Sequence, residues 1–324
     1  MRRSILLLVP ALILLATFAP PVDRPRAPFP KFAWIEYRPV PLDRTDPARR
    51  RIGALTLLAG WSVTGNDPRI GGISAMHVEG GQWLAFSDAG TVVTALLPGR
   101  AGTVRVRASV APLPQGPGSP TRKGDRDVES IALAGPLLWA GFERTNQIWR
   151  YDRRSWRRAA GAWPAGMRKW SENRGAEAML RLPDGRFLVF AEGLGGGTSQ
   201  VLLFQGDPAL VATPAARLRY RPPEGFRITD AALLPDGRML FLHRRLHLLH
   251  GLGAKLTVAA PIVLRPGMIL EGREIADLRP PLAVDNMEAL SITREGGRTI
   301  VWIGSDDNFN PLQRTLLLKF ALEG

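Results

Sequence analysis

Residues 285–320 read DNMEALSITREGGRTIVWIGSDDNFNPLQRTLLLKF. A carboxylate, Glu288, opens a short apolar strand. A turn at 295–298 follows, then a second apolar strand at 299–304, which ends in the acidic cluster Ser305-Asp306-Asp307-Asn308. A third strand, 315–320, closes the segment. The same grammar recurs four times upstream, in residues 71–90, 127–146, 175–193 and 228–245. The polar openers are Ser74, Glu129, Glu177, Asp230 and Glu288, which lie 55, 48, 53 and 58 residues apart (129−74, 177−129, 230−177, 288−230). A polar cluster follows each opener: Asp88, Glu143, Glu192, Arg244 and Asp306.

Two copies carry Leu-Pro-Asp-Gly-Arg, at 182–186 and 234–238. Between apolar strands this is a hairpin turn: Pro presets φ, and Gly takes the positive φ that the turn needs. A third strand is expected after each cluster, at 92–97, 147–151, 201–204, 246–249 and 316–320. No segment has the pattern of a long amphipathic helix. Short strands in sets of about four, at a period near 50 residues, predict an all-β fold, a β-propeller. The count favours five blades. Six is the alternative, with a degenerate blade in 252–283 or 31–53. The strand at 54–61 has no blade of its own, so it is expected to pair with 315–322 in the last blade, closing the ring and removing an open edge. Residues 31–324 read as one domain, with 31–53 and the Pro/Gly-rich 111–126 as surface loops.

Residues 1–30 stand apart. Met1-Arg2-Arg3 precedes an apolar run at 5–19, and a Pro-rich basic stretch follows at 20–30. These are the parts of a secretory signal, with Thr17-Phe18-Ala19 as the cleavage site. The run is short for a membrane span, which needs about 20 apolar residues. An uncleaved N-terminal membrane anchor is the alternative. Either way the protein is expected outside the cytoplasm, periplasmic or extracellular, in a bacterium-like cell.

Cysteine is absent, which excludes a disulfide framework, a Cys-ligated metal and a Cys nucleophile. The net charge is +14, and Arg supplies 38 of the 43 basic residues. Such a balance suits anionic substrates or lipid headgroups, or follows from an Arg-rich composition. Nucleic acid is not expected, because the arginines are scattered and no basic-aromatic motif collects them. A monomer is expected.

In a propeller the first strand of each blade lines the central channel, so the openers converge at one mouth. Glu129, Glu177, Asp230 and Glu288 would form a ring of carboxylates, with Asp88, Glu143, Glu192, Asp306, Asp307 and Asn308 on nearby loops. Hard oxygen ligands facing one cavity suit Ca²⁺ or Mg²⁺ better than zinc. The competing expectation is that these acids pair with arginines, since Arg126, Arg144, Arg174, Arg244 and Arg314 stand next to acidic positions. A metal together with arginine would hold a phosphate or carboxylate ester. His243, His247 and His250 share one short segment that reads as strand, where i, i+4 histidines do not meet. They are ordinary strand histidines, with His243 the one that falls in a polar cluster, beside Arg244. There is no Gly-x-Ser-x-Gly elbow and no phosphate-cradling Gly-x-x-x-x-Gly-Lys.

Several stretches together resemble the phytase-like family, whose described activity is esterase-like. They are residues 67–74 (DPRIGGIS) with 87–90 (SDAG), 173–178 (NRGAEA) with 182–186, 228–238 (ITDAALLPDGR), and 286–290 (NMEAL) with 305–309 (SDDNF). The resemblance runs from about residue 53 to 322. It implies an exported bacterial β-propeller, similar to propeller phytases that use calcium and bind phosphate at an acidic channel mouth. It carries over Glu129, Glu177, Asp230 and Glu288 as channel acids, and Asp88, Asp306 and Asp307 as loop acids. The chain departs from the family pattern at Ala75, Ser130, Ala178 and Ala289, where Gly is usual. It departs again at His243-Arg244, where a Glu-Arg pair is usual.

Two functions follow. The first is a metal-assisted hydrolase of phosphate or carboxylate esters. Its metal ligands are Glu129, Glu177, Asp230, Glu288, Asp88, Asp306 and Asp307. Glu177 and Glu288 act as ligand or general base, and Arg174, Arg244 and His243 bind the anionic substrate. The second is a non-catalytic binding propeller of the cell envelope that uses the same mouth.

Overall fold

The apolar runs fold as strands because their side chains alternate between the two faces of a sheet. The computed structural model describes residues 28–30, 32–99, 102–119, 122–172, 174–193, 197–247, 251–261 and 263–323. The expected signal segment and His250 therefore lie outside the described residues. Among the described residues no helix is long and apolar enough to cross a membrane.

The N-terminal strands are β1 (Ala33–Pro39), β2 (Arg51–Ile52) and β3 (Leu55–Gly65). The first meander is β4 (Ile73–Glu79), β5 (Gln82–Ser87), β6 (Thr91–Leu96) and β7 (Val104–Pro112). The second is β8 (Val128–Ala134), β9 (Leu137–Phe142), β10 (Gln147–Asp152) and β11 (Arg158–Ala162). The third is β12 (Ala176–Arg181), β13 (Phe187–Ala191), β14 (Ser199–Phe204) and β15 (Ala215–Arg221). The fourth has β16 (Arg227–Leu233), β17 (Met239–His247) and β18 (Gly251–Ala259). After β19 (Ile269–Glu271), which pairs with β15, it is completed by β20 (Arg273–Leu278). The last is β21 (Asn286–Glu295), β22 (Arg298–Asp306) and β23 (Thr315–Leu322). Its outer strand is β3, which runs antiparallel to β23 with Leu55 opposite Leu322 and Val63 opposite Thr315.

This is an all-β fold of propeller type. The inner strands touch in cyclic order: β4 with β8, β8 with β12, β12 with β16, β16 with β21, and β21 with β4. A separate apolar core fills each joint. Phe86 and Val92 meet Val128 and Phe142. Trp139 meets Phe187 and Leu202. Phe190 and Leu203 meet Ile228 and Phe241. Leu240 and Leu256 meet Met287 and Val301. Ile300 and Trp302 meet Met76 and Trp83. Each meander thus buries both faces against its neighbours.

The Pro-Asp-Gly turns close as expected. Leu182 N–H donates to Arg186 O at 2.8 Å and Leu234 N–H to Arg238 O at 2.8 Å, with Gly185 at φ +88° and Gly237 at φ +85°. Two expectations need correction. The third strand of the fourth meander is β18, not 246–249, because β17 runs on through Leu246 and its partner starts at Gly251. Residues 31–53 are not all surface loop. In β1, Ile35 and Tyr37 are fully buried, since the strand fills the gap between β3 and β7 and joins the last and first meanders into one sheet. Residues 252–283, one place for a sixth blade, instead supply β18 and β20 to the fourth meander and β19 to the edge of the third.

Candidate metal centre at the channel mouth

All five inner strands break register at the same place. Pairing skips one residue between Ile73 and Ala75, Val128 and Ser130, Ala176 and Ala178, Ile228 and Asp230, and Met287 and Ala289. The skipped residues are Ser74, Glu129, Glu177, Thr229 and Glu288. A β-bulge leaves its extra residue unpaired and re-aims the side chain, a device common beside active sites. The bulges therefore define one ring at the mouth. A second ring comes from the ends of the second strands. Asp88 N–H donates to Gly72 O, Glu143 N–H donates to Asp127 O, and Asp306 stands opposite Asn286. Glu192 and Arg244 hold the corresponding places in the third and fourth meanders.

One group meets the geometry of a cation site. Asp127, Glu129 and Glu143 each offer a carboxylate oxygen, and these oxygens lie within 4.8 Å of one another. Glu143 also shares a hydrogen bond with Glu177. Glu288, Asp306 and Asp88 form the neighbouring group: Asp88 lies close enough to raise Glu288, and Glu288 and Asp88 close enough to raise Asp306.

Burial and like charge make this mouth costly for carboxylates alone. Burial raises Glu129 well above the ordinary range, and Asp127, Glu177, Glu143 and Glu288 add repulsion. Burial, with Glu192 and Glu143, raises Glu177. Burial pushes Glu143 up to about 7, against the pull of its bond to Glu177. Glu288 is raised by burial despite Arg244, and Asp306 by burial, Glu288 and Asp88. The donors are all oxygen, as a hard divalent cation requires, and a cation would relieve both causes of the shifts. The residues fit such an ion.

The other side of the mouth is basic. Arg244 bonds Asn286 Oδ1 at 3.1 Å and pairs with Glu192 at 3.4 Å and Glu288 at 3.2 Å. Arg227 Nη1 reaches both Glu192 oxygens at 3.1 Å. Burial opposes the Arg244 charge, but Glu288, Glu192, Glu177 and Glu129 hold the guanidinium protonated, above its ordinary value.

Of the sequence-predicted residues, Glu129, Glu177, Glu288, Asp88, Asp306 and Arg244 are brought together. Arg174 lies beside them, lining a cleft next to Glu192 with Lys169, Trp170 and Ser199. Three residues are placed otherwise. Asp230 is not the fourth opener. The bulge falls on Thr229, and the Asp230 oxygens accept the amides of Ala231 (2.7 Å) and Leu290 (2.6 Å), joining β16 to β21. Asp307 is engaged as a tie: it accepts Gly72 N–H at 2.8 Å, Phe309 N–H at 3.1 Å and the Thr315 hydroxyl at 2.9 Å. His243 does not face the mouth. It is fully buried, its ring stacks on Tyr220, its Nε2 accepts the Tyr220 hydroxyl at 2.6 Å, and its Nδ1–H donates to Lys255 O at 3.1 Å. Strand alternation explains this, because Arg244 faces the mouth and its neighbour must face the core. Burial holds His243 neutral, down to about 3.

Sequence reasoning passed over Asp127 as a ligand. The signal was the sequence itself: Asp127 stands two residues before Glu129, at the entry of β8.

Comparison with known proteins gives one family. A family model described as "Phytase-like: Esterase-like activity of phytase" matches residues 68–309. No curated protein matches the chain. Among solved structures, a glutaminyl cyclase of Myxococcus xanthus aligns at 9% identity and TM-score 0.46, covering 83% of this chain and 97% of that one. A luciferin-regenerating enzyme aligns at 8% identity and TM-score 0.45, covering 88% and 97%. The β-propeller domain of Myceliophteria thermophila Cps50 (Swd1) aligns at 10% identity and TM-score 0.40, covering 88% and 99%.

Proposed function

This chain belongs to the phytase-like family, and from that premise we propose that it hydrolyses anionic esters, of phosphoric or carboxylic acid, with a divalent cation at the channel mouth. The observation that carries the proposal is the convergence of Asp127, Glu129 and Glu143 within 4.8 Å. All-oxygen donors of this charge favour Ca²⁺. Asp127, Glu129 and Glu143 would hold the ion, and Glu288, Asp306 and Asp88 form the neighbouring acidic group. Such an ion supplies Lewis-acid polarisation of an ester oxygen and acidifies water. Arg244 presents its guanidinium to the anionic group of the ester, and Arg174 lies at the edge of the same mouth. Glu177, hydrogen-bonded to Glu143, holds or moves a proton at its carboxyl, and Glu288 does so beside Arg244. The scaffold for this site is a five-bladed ring, closed where β3 completes the last blade. We read the leader as an export signal or anchor and propose a monomeric enzyme in the periplasm or outside the cell, where calcium is available.

The Arg244 and Arg227 pairs with Glu192 and Glu288 favour a second reading, a binding propeller whose acids are balanced by arginine rather than by a cation. One experiment separates the two. p-Nitrophenyl phosphate and a short acyl ester are offered with calcium and with chelator, and the melting temperature is followed in parallel. The hydrolase turns over one of them only with calcium, and calcium raises its melting temperature. A calcium-dependent melting shift with no turnover of any ester in a broad panel removes the hydrolase, and no turnover with no shift leaves the arginine-balanced binding propeller. No shift in either condition removes the cation.

A further inference from the structure

The outer sheet where the chain enters the ring carries a face that the mouth does not use. β1 lies between β7 and β3, with Trp34 opposite Arg107, Glu36 opposite Arg105 and Arg38 opposite Ser62. Alternation sends Ala33, Ile35 and Tyr37 into the core. The other face presents Phe32, Trp34 and Arg38 together with Arg105 and Arg107. Phe32 is 66% exposed, and the Arg38 and Arg105 side chains are 65% and 59% exposed. Cations lie over the rings: Arg105 over Trp34 at 4.0 Å, Arg107 over Phe32 at 4.9 Å, and Arg69 over Phe29 at 4.0 Å. Glu36 is buried beneath this face and bonded by Arg38 and Arg105, so it offsets one of the positive charges without presenting a negative one.

We propose that this face docks on an anionic lipid bilayer. Three observations select that partner. Aromatic rings with a polar surround suit the headgroup zone of a membrane. Clustered arginines suit anionic headgroups, at about 1 kcal/mol for each basic residue near the surface. The sequence just before Phe29 adds Arg24 and Arg26, and the apolar run at 5–19 ends ten residues upstream, a span of at most about 36 Å of chain. An apolar segment close in sequence to a basic patch gives two membrane signals, and two are what stable attachment takes.

The test uses the full chain, whose lack of cysteine allows one dye to be placed at will. Phe32→Cys carries a polarity-sensitive fluorophore. Leu210→Cys, exposed on the third meander, carries it as the control. Each is mixed with vesicles of phosphatidylcholine, with and without phosphatidylglycerol. Docking shifts the dye at position 32 to the blue on anionic vesicles only, with no shift at position 210. Adding Arg105→Glu and Arg107→Glu weakens that response at least about thirtyfold, with the melting temperature showing that the protein is folded. Equal shifts at both positions, equal shifts on neutral vesicles, or insensitivity to the two reversals would overturn the proposal. So would binding of an RNA oligonucleotide by this face in place of vesicles. None of these readouts involves ester turnover, so they stand or fall apart from the proposed activity.

Discussion

The same bulge occurs in every inner strand, yet it is used in two ways. In the second, third and last meanders it presents Glu129, Glu177 and Glu288. In the first and fourth it presents Ser74 and Thr229. The hydroxyls turn sideways: Ser74 donates to Val128 O, and Thr229 donates to Met287 O at 3.1 Å. Val128 and Met287 are each the residue just before the next meander's bulged glutamate. The hydroxyl bulges thus hold in place the strands that carry the carboxylate bulges. Ser130, next to Glu129, does the same for the third meander by donating to Ala176 O. The difference teaches that equivalent backbone positions of the ring present carboxylates to the mouth in three meanders and stitching hydroxyls in two.

The sharpest way to break this comparison is Glu288→Gln. If the carboxylate bulges do the chemistry, calcium-dependent ester turnover falls about 10²- to 10⁴-fold, as for loss of a general acid or base. The calcium-induced rise in melting temperature falls with it. A variant that keeps both would put Glu288 among the stitching residues.

Asp307→Ala comes next. This carboxylate joins the end of the last meander to Gly72 of the first through its amide bond, and it also holds Phe309 and Thr315. Removing it leaves buried donors unmet and costs about 2–4 kcal/mol. Urea unfolding measures the loss, while turnover per folded molecule stays at the wild-type level. A loss of calcium response without a loss of stability would return Asp307 to the ligands.

Much of this was legible in the sequence. The period near 50 residues, the Pro-Asp-Gly turns and the β3–β23 pairing follow from local rules: alternation, turn chemistry and the need to cover an edge. The glutamates of the second, third and last copies could be placed because in each the carboxylate that opens the copy is also the residue the bulge extrudes. The fourth copy could not. Thr229 and Asp230 are adjacent polar residues, and which one the bulge extrudes depends on the register against β17, a long-range property. Counting 53 residues to Asp230 was the natural choice, and the fold uses 52. Asp307 and His243 failed for a related reason. Each sits one residue from a true mouth residue, Asp306 and Arg244, and a one-residue step turns a strand side chain to the other face. The buried bonds to Tyr220 and Lys255 that hold His243 come from β15 and β18, which sequence spacing does not bring near.

Acid titration separates the two kinds of polar residue by sign. Glu143 titrates near 7 in the folded protein against an ordinary 4.5, so without a cation it keeps a proton that the unfolded chain releases. Its contribution to stability therefore falls as pH rises from about 4.5 to 7. His243 titrates near 3 against an ordinary 6.5, so its neutral form favours folding above 6.5 and that contribution is lost as pH falls towards 3. The two oppose each other between 4.5 and 6.5, so each must be read as a difference. Relative to Glu143→Gln, the chelated wild type loses melting temperature on going from pH 5 to pH 7. Relative to His243→Gln, it loses melting temperature on going from pH 6.5 to pH 4. A Glu143 difference of the opposite sign would mean that the mouth holds its carboxylates ionised without any cation.

The smallest effect is at Thr229 and tests the stitching half directly. Thr229→Val keeps the shape and removes only the hydroxyl that reaches Met287 O, a bond worth about 1 kcal/mol. Thr229→Ser keeps the hydroxyl and loses a methyl group. If the fourth bulge only stitches, Val lowers stability by about that amount and Ser restores most of it, because the bond and not the methyl is what matters. Turnover should move little in either. The sensitive readout is calcium affinity, since Met287 carries the backbone of Glu288. A weakening of calcium binding in Val that Ser rescues would show that the hydroxyl bulges also position the carboxylate next door. Equal behaviour of the two variants would leave the hydroxyl without a role and the pairing of the two bulge types without a cause.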